Sequence, residues 1–166
     1  MAEKDFVVKE KLDHSGVFDF PAFYAFAHGW LKYEEYIIVE DEYTEKVSGN
    51  SREMMIKWTA SKTLTDYFKI EIKMKLEVYG LTDVEVEVDG KKKKMNKALI
   101  KIELRGGLVK DPSSSWEGKP WYKFLRESYD KFIIPKRIED LTEKVALDVR
   151  AFKEELKSYL ELYGRR

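Results

Sequence analysis

From Tyr36 to about Lys110, apolar side chains recur at every second position, interrupted only by short turn-forming groups. Ile37-Val39, Met54-Ile56-Trp58, Ile70-Ile72-Met74-Leu76-Val78, Val84-Val86-Val88 and Ala98-Ile100-Ile102-Leu104 supply the apolar set. Lys69, Glu71, Lys73, Lys75 and Glu77, or Lys101, Glu103 and Arg105, stand between them. Successive strand side chains point to opposite faces, so this alternation predicts strands with one charged face and one buried face. Such strands form an antiparallel sheet with one side in water and one on a core. Ser48-Gly49-Asn50-Ser51, Thr63 to Asp66, Tyr79-Gly80 and Asp89-Gly90 are the expected hairpin connections.

The flanks add two kinds of element. Phe6, Val8 and Leu12 alternate with Lys9 and Lys11, predicting a strand over 5–12 that Asp13-His14-Ser15-Gly16 ends in a turn. Asp19-Phe20-Pro21 places a capping carboxylate and a proline at the start of a helix over 19–33, whose apolar side is Phe23, Phe26, Trp30 and Tyr33. After Gly106-Gly107, read as a bend or bulge where the strand leaves the sheet, the loop Asp111-Pro112-Ser113-Ser114-Ser115 precedes a predicted helix over 119–133. From 137 to 163, Ile138, Leu141, Val145, Val149, Phe152, Leu156, Tyr159/Leu160 and Tyr163 recur at steps of three and four. A helix of roughly 25 residues is about 38 Å long, enough for its stripe to cross a whole sheet. The chain thus reads as one α+β domain over 1–166, with a curved antiparallel sheet of about six strands packed on a long C-terminal helix.

Composition narrows the classes. Thirty-one Lys and Arg balance thirty-one Asp and Glu, which removes the net positive charge that drives sequence-independent nucleic-acid binding and makes that partner an unfavoured one. Gln is absent, Asn occurs only at positions 50 and 96, and Lys and Glu abound; high temperature favours this balance, so a thermophilic, archaeal-like source is expected. The start lacks the basic-then-apolar order of a signal peptide, and no apolar run is long enough to span a bilayer. A cytoplasmic protein with no transmembrane segment is the expectation.

Few residues present themselves for chemistry. With no Cys and two His, thiolate zinc sites and cysteine nucleophiles are closed off. Asp13-His14-Ser15 has the triad residue types, but neighbours in sequence do not converge as a triad does. The acidic clusters Glu34-Glu35, Glu40-Asp41-Glu42, Glu139-Asp140 and Glu154-Glu155 lack calcium-loop spacing. On a strand Glu40 and Glu42 would share one face, a solvated surface. No cofactor, metal or catalytic residue is assigned. In the Lys91-Lys92-Lys93-Lys94 run, a two-residue turn at Asp89-Gly90 would set Glu87 against Lys92 and Glu85 against Lys94, leaving Lys91 and Lys93 opposite valines.

The order strand, helix, about five antiparallel strands and long final helix resembles the helix-grip arrangement of the START and Bet v 1-like superfamily. That resemblance rests on element order; Val17 to Glu35 would supply the two short helices the family places after its first strand, and the 119–133 helix is additional to it. It implies a cavity between sheet and C-terminal helix, used in that superfamily for lipids, sterols, polyketides and other apolar ligands. On this reading the domain binds an apolar or amphipathic small molecule lined by Phe26, Trp30, Trp58, Phe152 and Tyr159, with His28 as the orienting polar group. The alternative is an interaction or assembly module, such as a homodimer, using the aromatic or C-terminal helix. A third reading is an enzyme of the cyclase or hydrolase type.

Overall fold

The computed structural model describes residues 3–65, 67–110 and 135–164. Strand β1 (Glu3–Phe18) leads into helix α1 (Phe20–Tyr33). The antiparallel run β2 (Ile37–Ser48), β3 (Ser51–Thr63), β4 (Phe68–Val88) and β5 (Lys91–Lys110) follows, and helix α2 (Pro135–Gly164) comes last among the described residues. The sheet order is β1-β5-β4-β3-β2, so the last strand closes on the first. A long helix on an antiparallel sheet of this order is compatible with a helix-grip-like architecture. The predicted helix over 119–133 lies outside the described residues.

Among the described residues five strands stand where about six were expected, because Tyr79-Gly80 is no hairpin. Gly80 takes φ +64°, and the pairing passes from Tyr79↔Leu99 to Thr82↔Lys97. Two residues of β4 there oppose one of β5, a bulge that lets a single 21-residue strand absorb both predicted ones. Asp13-His14-Ser15-Gly16 likewise does not end β1; it pairs with Ala98 to Lys101 and the strand runs on to Phe18. At the other turns the expected chemistry holds. Asp89 and Gly90 both have positive φ, as a type I′ hairpin turn requires, and Glu87↔Lys92 and Glu85↔Lys94 face each other as the spacing predicts.

The inner face of the sheet carries the core. Ile56, Trp58 and Ala60 of β3, Ile70 to Val78 at alternate positions of β4, and Ala98, Ile100, Ile102 and Leu104 of β5 are buried, with Val145, Val149, Phe152, Leu156 and Leu160 of α2 against them. Gly106 sets the depth at which α2 sits. It stays in the sheet, paired with Val8 and Ile72, and a Cβ there would lie 2.5 Å from Val149 Cγ2, 2.8 Å from Val145 Cγ1 and 2.9 Å from Val8 Cγ1. The glycine is a seat for the helix, not the exit bend expected from sequence. Arg150 and Lys153 of α2 hold Glu10 of β1 at 3.4 and 3.3 Å, and the Tyr36 hydroxyl donates to Asp148 at 2.8 Å.

Helix α1 begins as read: the Asp19 side chain accepts from the Ala22 N–H at 3.2 Å. It is one helix of 14 residues. At its end, Tyr36 N–H reaches Leu31 O (2.9 Å) and Glu35 N–H reaches Lys32 O (3.0 Å), the paired bonds of a Schellman cap. Glu35 occupies the left-handed position at φ +69°, where glycine is the favoured residue.

His14 faces inward opposite Ile100. Alternation along β1 therefore turns Asp13 and Ser15 to the other side, which rules out a triad among the three. The His14 Nε2 is buried without a hydrogen-bond partner among the described residues, and burial holds the imidazole below its ordinary pKa of 6.5, with Glu161 opposing in part.

Three outcomes follow from these contacts. Gly106→Ala should lower unfolding stability by about 1–3 kcal/mol through overpacking, and Val149→Ala in the same chain should recover part of that loss, as urea melts will show. Glu35→Gly should raise stability by about 1 kcal/mol by removing the left-handed penalty. Because folding depresses the His14 pKa, the unfolded chain binds the proton more readily; stability contributed by the neutral ring is intact above pH 6.5 and falls as pH drops below it. Thermal melts of His14→Leu against the parent between pH 7.5 and 5 should show a smaller acid loss in the variant.

Candidate functional site

The six residues expected to line a ligand are brought into one aromatic layer between β3, α1 and α2. Phe26 of α1 stacks on Tyr159 of α2, with ring centroids 4.5 Å apart and planes at 17°. Trp30 stacks on Phe152 at 4.9 Å and 16°. On the other side of α1, His28 meets Trp58 of β3 edge-on at 5.6 Å. Period 3.6 explains the division: positions 26 and 30 share the α2 side, and positions 24 and 28 share the β3 side. Trp58 and Phe152 are fully buried, and the stacked pairs use one another's faces. A ligand among them would need those pairs to part.

The layer opens toward the N-terminal end of α1. Tyr24 packs edge-on against Trp58 at 5.0 Å and tilts against Phe20 at 6.3 Å. Phe20, Pro21, Tyr24, Glu40 and Tyr43 line an open groove of about 500 Å³. A second groove of about 360 Å³ shares Phe20, Pro21 and Tyr43 and continues past Arg52 and Met54 to Asp83, Lys94 and Asn96. Both volumes fall within the range of small-molecule clefts.

The walls come from distant parts of the chain. Asn96 of β5 accepts the Phe20 N–H at 2.9 Å and donates to Asp83 at 3.0 Å, fixing the start of α1 to the β4–β5 hairpin. The same Asp83 carboxylate meets Lys94 at 3.3 Å and Arg52 at 4.0 Å, so the polar end of the groove holds two cations around one anion. At the apolar end the Tyr24 hydroxyl donates to Glu40 at 2.7 Å. Burial, reinforced by that carboxylate, pushes the tyrosine pKa up to about 12, so the phenol stays neutral and keeps its proton.

Glu40 reaches this site because β2 bulges at Asp41. Glu40 pairs with Trp58 and Glu42 with Lys57, so the two glutamates lie on opposite faces rather than on the shared face expected from strict alternation. Asp41 accepts a hydrogen bond from the Thr59 hydroxyl. Among the described residues, no group of three or more His, Asp or Glu is placed to hold a metal ion, and no helix is long and apolar enough to cross a membrane.

Of the groove residues, the sequence pattern named Asp19, Phe20 and Pro21 as a helix start, Glu40 in an acidic run, Met54 in a strand and Lys94 in a lysine run, without bringing them together. Asn96 carried a signal that could have found the site: it is one of two Asn in a chain without Gln, set in a strand of lysines. Tyr43, an aromatic among Glu40, Asp41, Glu42 and Glu45, was a second. No family model matches the chain, and a search of curated proteins likewise finds no match.

Proposed function

We propose that this domain binds an amphipathic small molecule, taken up at the mouth of the aromatic layer. The observation that carries the reading is the pair of adjoining grooves that share Phe20, Pro21 and Tyr43. An apolar body would lie on those rings and on Tyr24, and a polar group would meet the Arg52, Asp83 and Lys94 cluster. Rings confer large contact area at low entropic cost, and a few fixed polar groups orient what they hold. The predicted lining residues enter as the wall behind: Trp58 and His28 back Tyr24, and the Phe26–Tyr159 and Trp30–Phe152 stacks hold α1 in place. A second reading, an assembly module such as a homodimer, draws support from edge strand β2, where Ile37 is 72% exposed and Val39 55%.

Native mass spectrometry of the purified protein separates the two readings, since it reports a retained small molecule and the oligomeric state together. For direct binding, 1-anilinonaphthalene-8-sulfonate serves as an amphipathic aryl sulfonate probe. Saturable one-to-one binding with amide NMR shifts centred on Phe20, Tyr24 and Tyr43 is expected. Tyr43→Ala, a half-exposed position, should weaken it about tenfold, the equivalent of one ring contact of about 1.4 kcal/mol. Shifts scattered over the surface, or unchanged by that substitution, would overturn the reading.

A further inference from the structure

Strand β2 carries Glu40, Asp41, Glu42 and Glu45 close together, and register and bulge give these carboxylates different surroundings. Glu42 meets Lys57 at 3.2 Å and Glu45 meets Arg52 at 3.6 Å, while Asp41 accepts from the Thr59 hydroxyl. Glu40 has the Tyr24 hydroxyl on Oε1, at 2.7 Å, and no ion pair among the described residues. A phenol donates a single hydrogen bond and leaves the carboxylate its full charge. The bulge at Asp41 is what turns Glu40 to the Trp58 side. A bulge re-aims one side chain at a local cost in pairing, and such devices gather at functional sites.

That carboxylate closes a cage of rings. The open groove of about 500 Å³ is lined by Phe20, Pro21, Tyr24, Glu40 and Tyr43, so among the described residues Glu40 is its one charged wall. Phe20 and Tyr24, one turn apart on α1, have centroids 6.3 Å apart and planes at 45°; they make two sides of a corner and not a stack. Each is held from behind, Phe20 by Phe18 at 6.4 Å and Tyr24 by Trp58 at 5.0 Å. Tyr43 is the third wall, its hydroxyl turned to Met54 Sδ at 3.5 Å and to Glu45 at 3.4 Å. The cations Arg52 and Lys94 belong to the adjoining groove, where Asp83 holds them at 4.0 and 3.3 Å. Ring faces carry the negative side of the aromatic quadrupole. An alkylated organic cation gains from those faces and from the carboxylate together, and its carbon surface packs on the rings.

We propose that this groove takes an alkylated ammonium group, with the carbons around the nitrogen against Phe20, Tyr24 and Tyr43 and the positive charge toward Glu40. The inference rests on the reading of the groove as a small-molecule site and adds the charge of the part that lies on the rings; the far end of the ligand is still the part that meets Arg52, Asp83 and Lys94. A primary ammonium fits less well, because it is strongly hydrated and one carboxylate replaces only part of its water. Alkylation spreads the charge over carbon, which rings accept.

Titration of the whole chain with (4-hydroxyphenyl)trimethylammonium, and separately with 4-tert-butylphenol, which has the same shape without the charge, tests this by amide NMR. Both should saturate with shifts centred on Phe20, Tyr24 and Tyr43, the cation about tenfold tighter at low salt and by a margin that shrinks as salt is added. Glu40→Gln keeps an acceptor for the Tyr24 hydroxyl; it should cut the margin to about threefold or less and leave the affinity for the uncharged phenol as it was. Tyr43→Leu keeps apolar bulk without a ring and should weaken the cation more than the phenol. Equal affinity of the two probes in the parent, or a margin that survives Glu40→Gln, overturns the cation site and leaves the groove as a site for other amphiphiles. Absence of saturable shifts at the groove with either probe overturns the small-molecule reading, and the cation site with it.

Discussion

The architecture depends on one close approach, that of helix α2 to β5 at Gly106. Val145 and Val149 occupy the space a side chain would fill, so the helix axis sits nearer the sheet there than Leu or Ile would allow. From that seat the apolar stripe runs through Phe152, Leu156 and Leu160 over the inner face. Depth at Gly106 also fixes where α1 can lie, because Trp30 and Phe26 rest on Phe152 and Tyr159. Dispersion between well-packed rings falls off within an ångström, so a shift of α2 would loosen both stacks together.

Helix α1 is consequently held on two sides, by α2 and by Trp58, and its amino end is tied to β5 through Asn96. A short helix clamped this way leaves little freedom inside the layer. What remains open is its first turn, where no helix among the described residues stands opposite Phe20 and Pro21, and where Tyr43 of the long β2 strand lines the groove. The groove is thus a geometric remainder: strands β2, β4 and β5 reach farther than the helix that covers them.

Much of the sheet was legible in the sequence because its information is local. Period two in β3, β4 and β5 set the buried face, and Asp89-Gly90 set the hairpin register down to Glu85 opposite Lys94. Two of the departures are places where the backbone departs from that period. The bulges at Asp41 and at Gly80-Leu81 add a residue without any change in residue type, so alternation alone assigned Glu40 to the solvated face with Glu42 and divided β4 in two. Gly106 looked like a breaker since glycine in a strand marks either a bend or a close approach; which role it plays depends on Val149, 43 positions away in the chain numbering. The aromatic residues were recognised as a group, but which ring meets which was not, since helical spacing separates the Phe26 and Trp30 side from the His28 side without naming what each side faces. The grooves were not legible. Their walls come from Asp19, Tyr43, Arg52, Asp83 and Asn96, brought together only by the sheet order.

The pairing of β1 with β5 has a consequence for how the molecule comes into being. Glu3 is opposite Lys110 and Phe18 opposite Asn96, so among the described strands the first has no partner until β5 has been made. At roughly 5–20 residues per second on a ribosome, β1 spends about 5–20 s as an unpaired ribbon while β2, β3 and β4 form their hairpins. Its alternating Lys9, Lys11 and Asp13 keep that ribbon charged along one side throughout the wait, a natural guard against premature association with a neighbouring nascent chain.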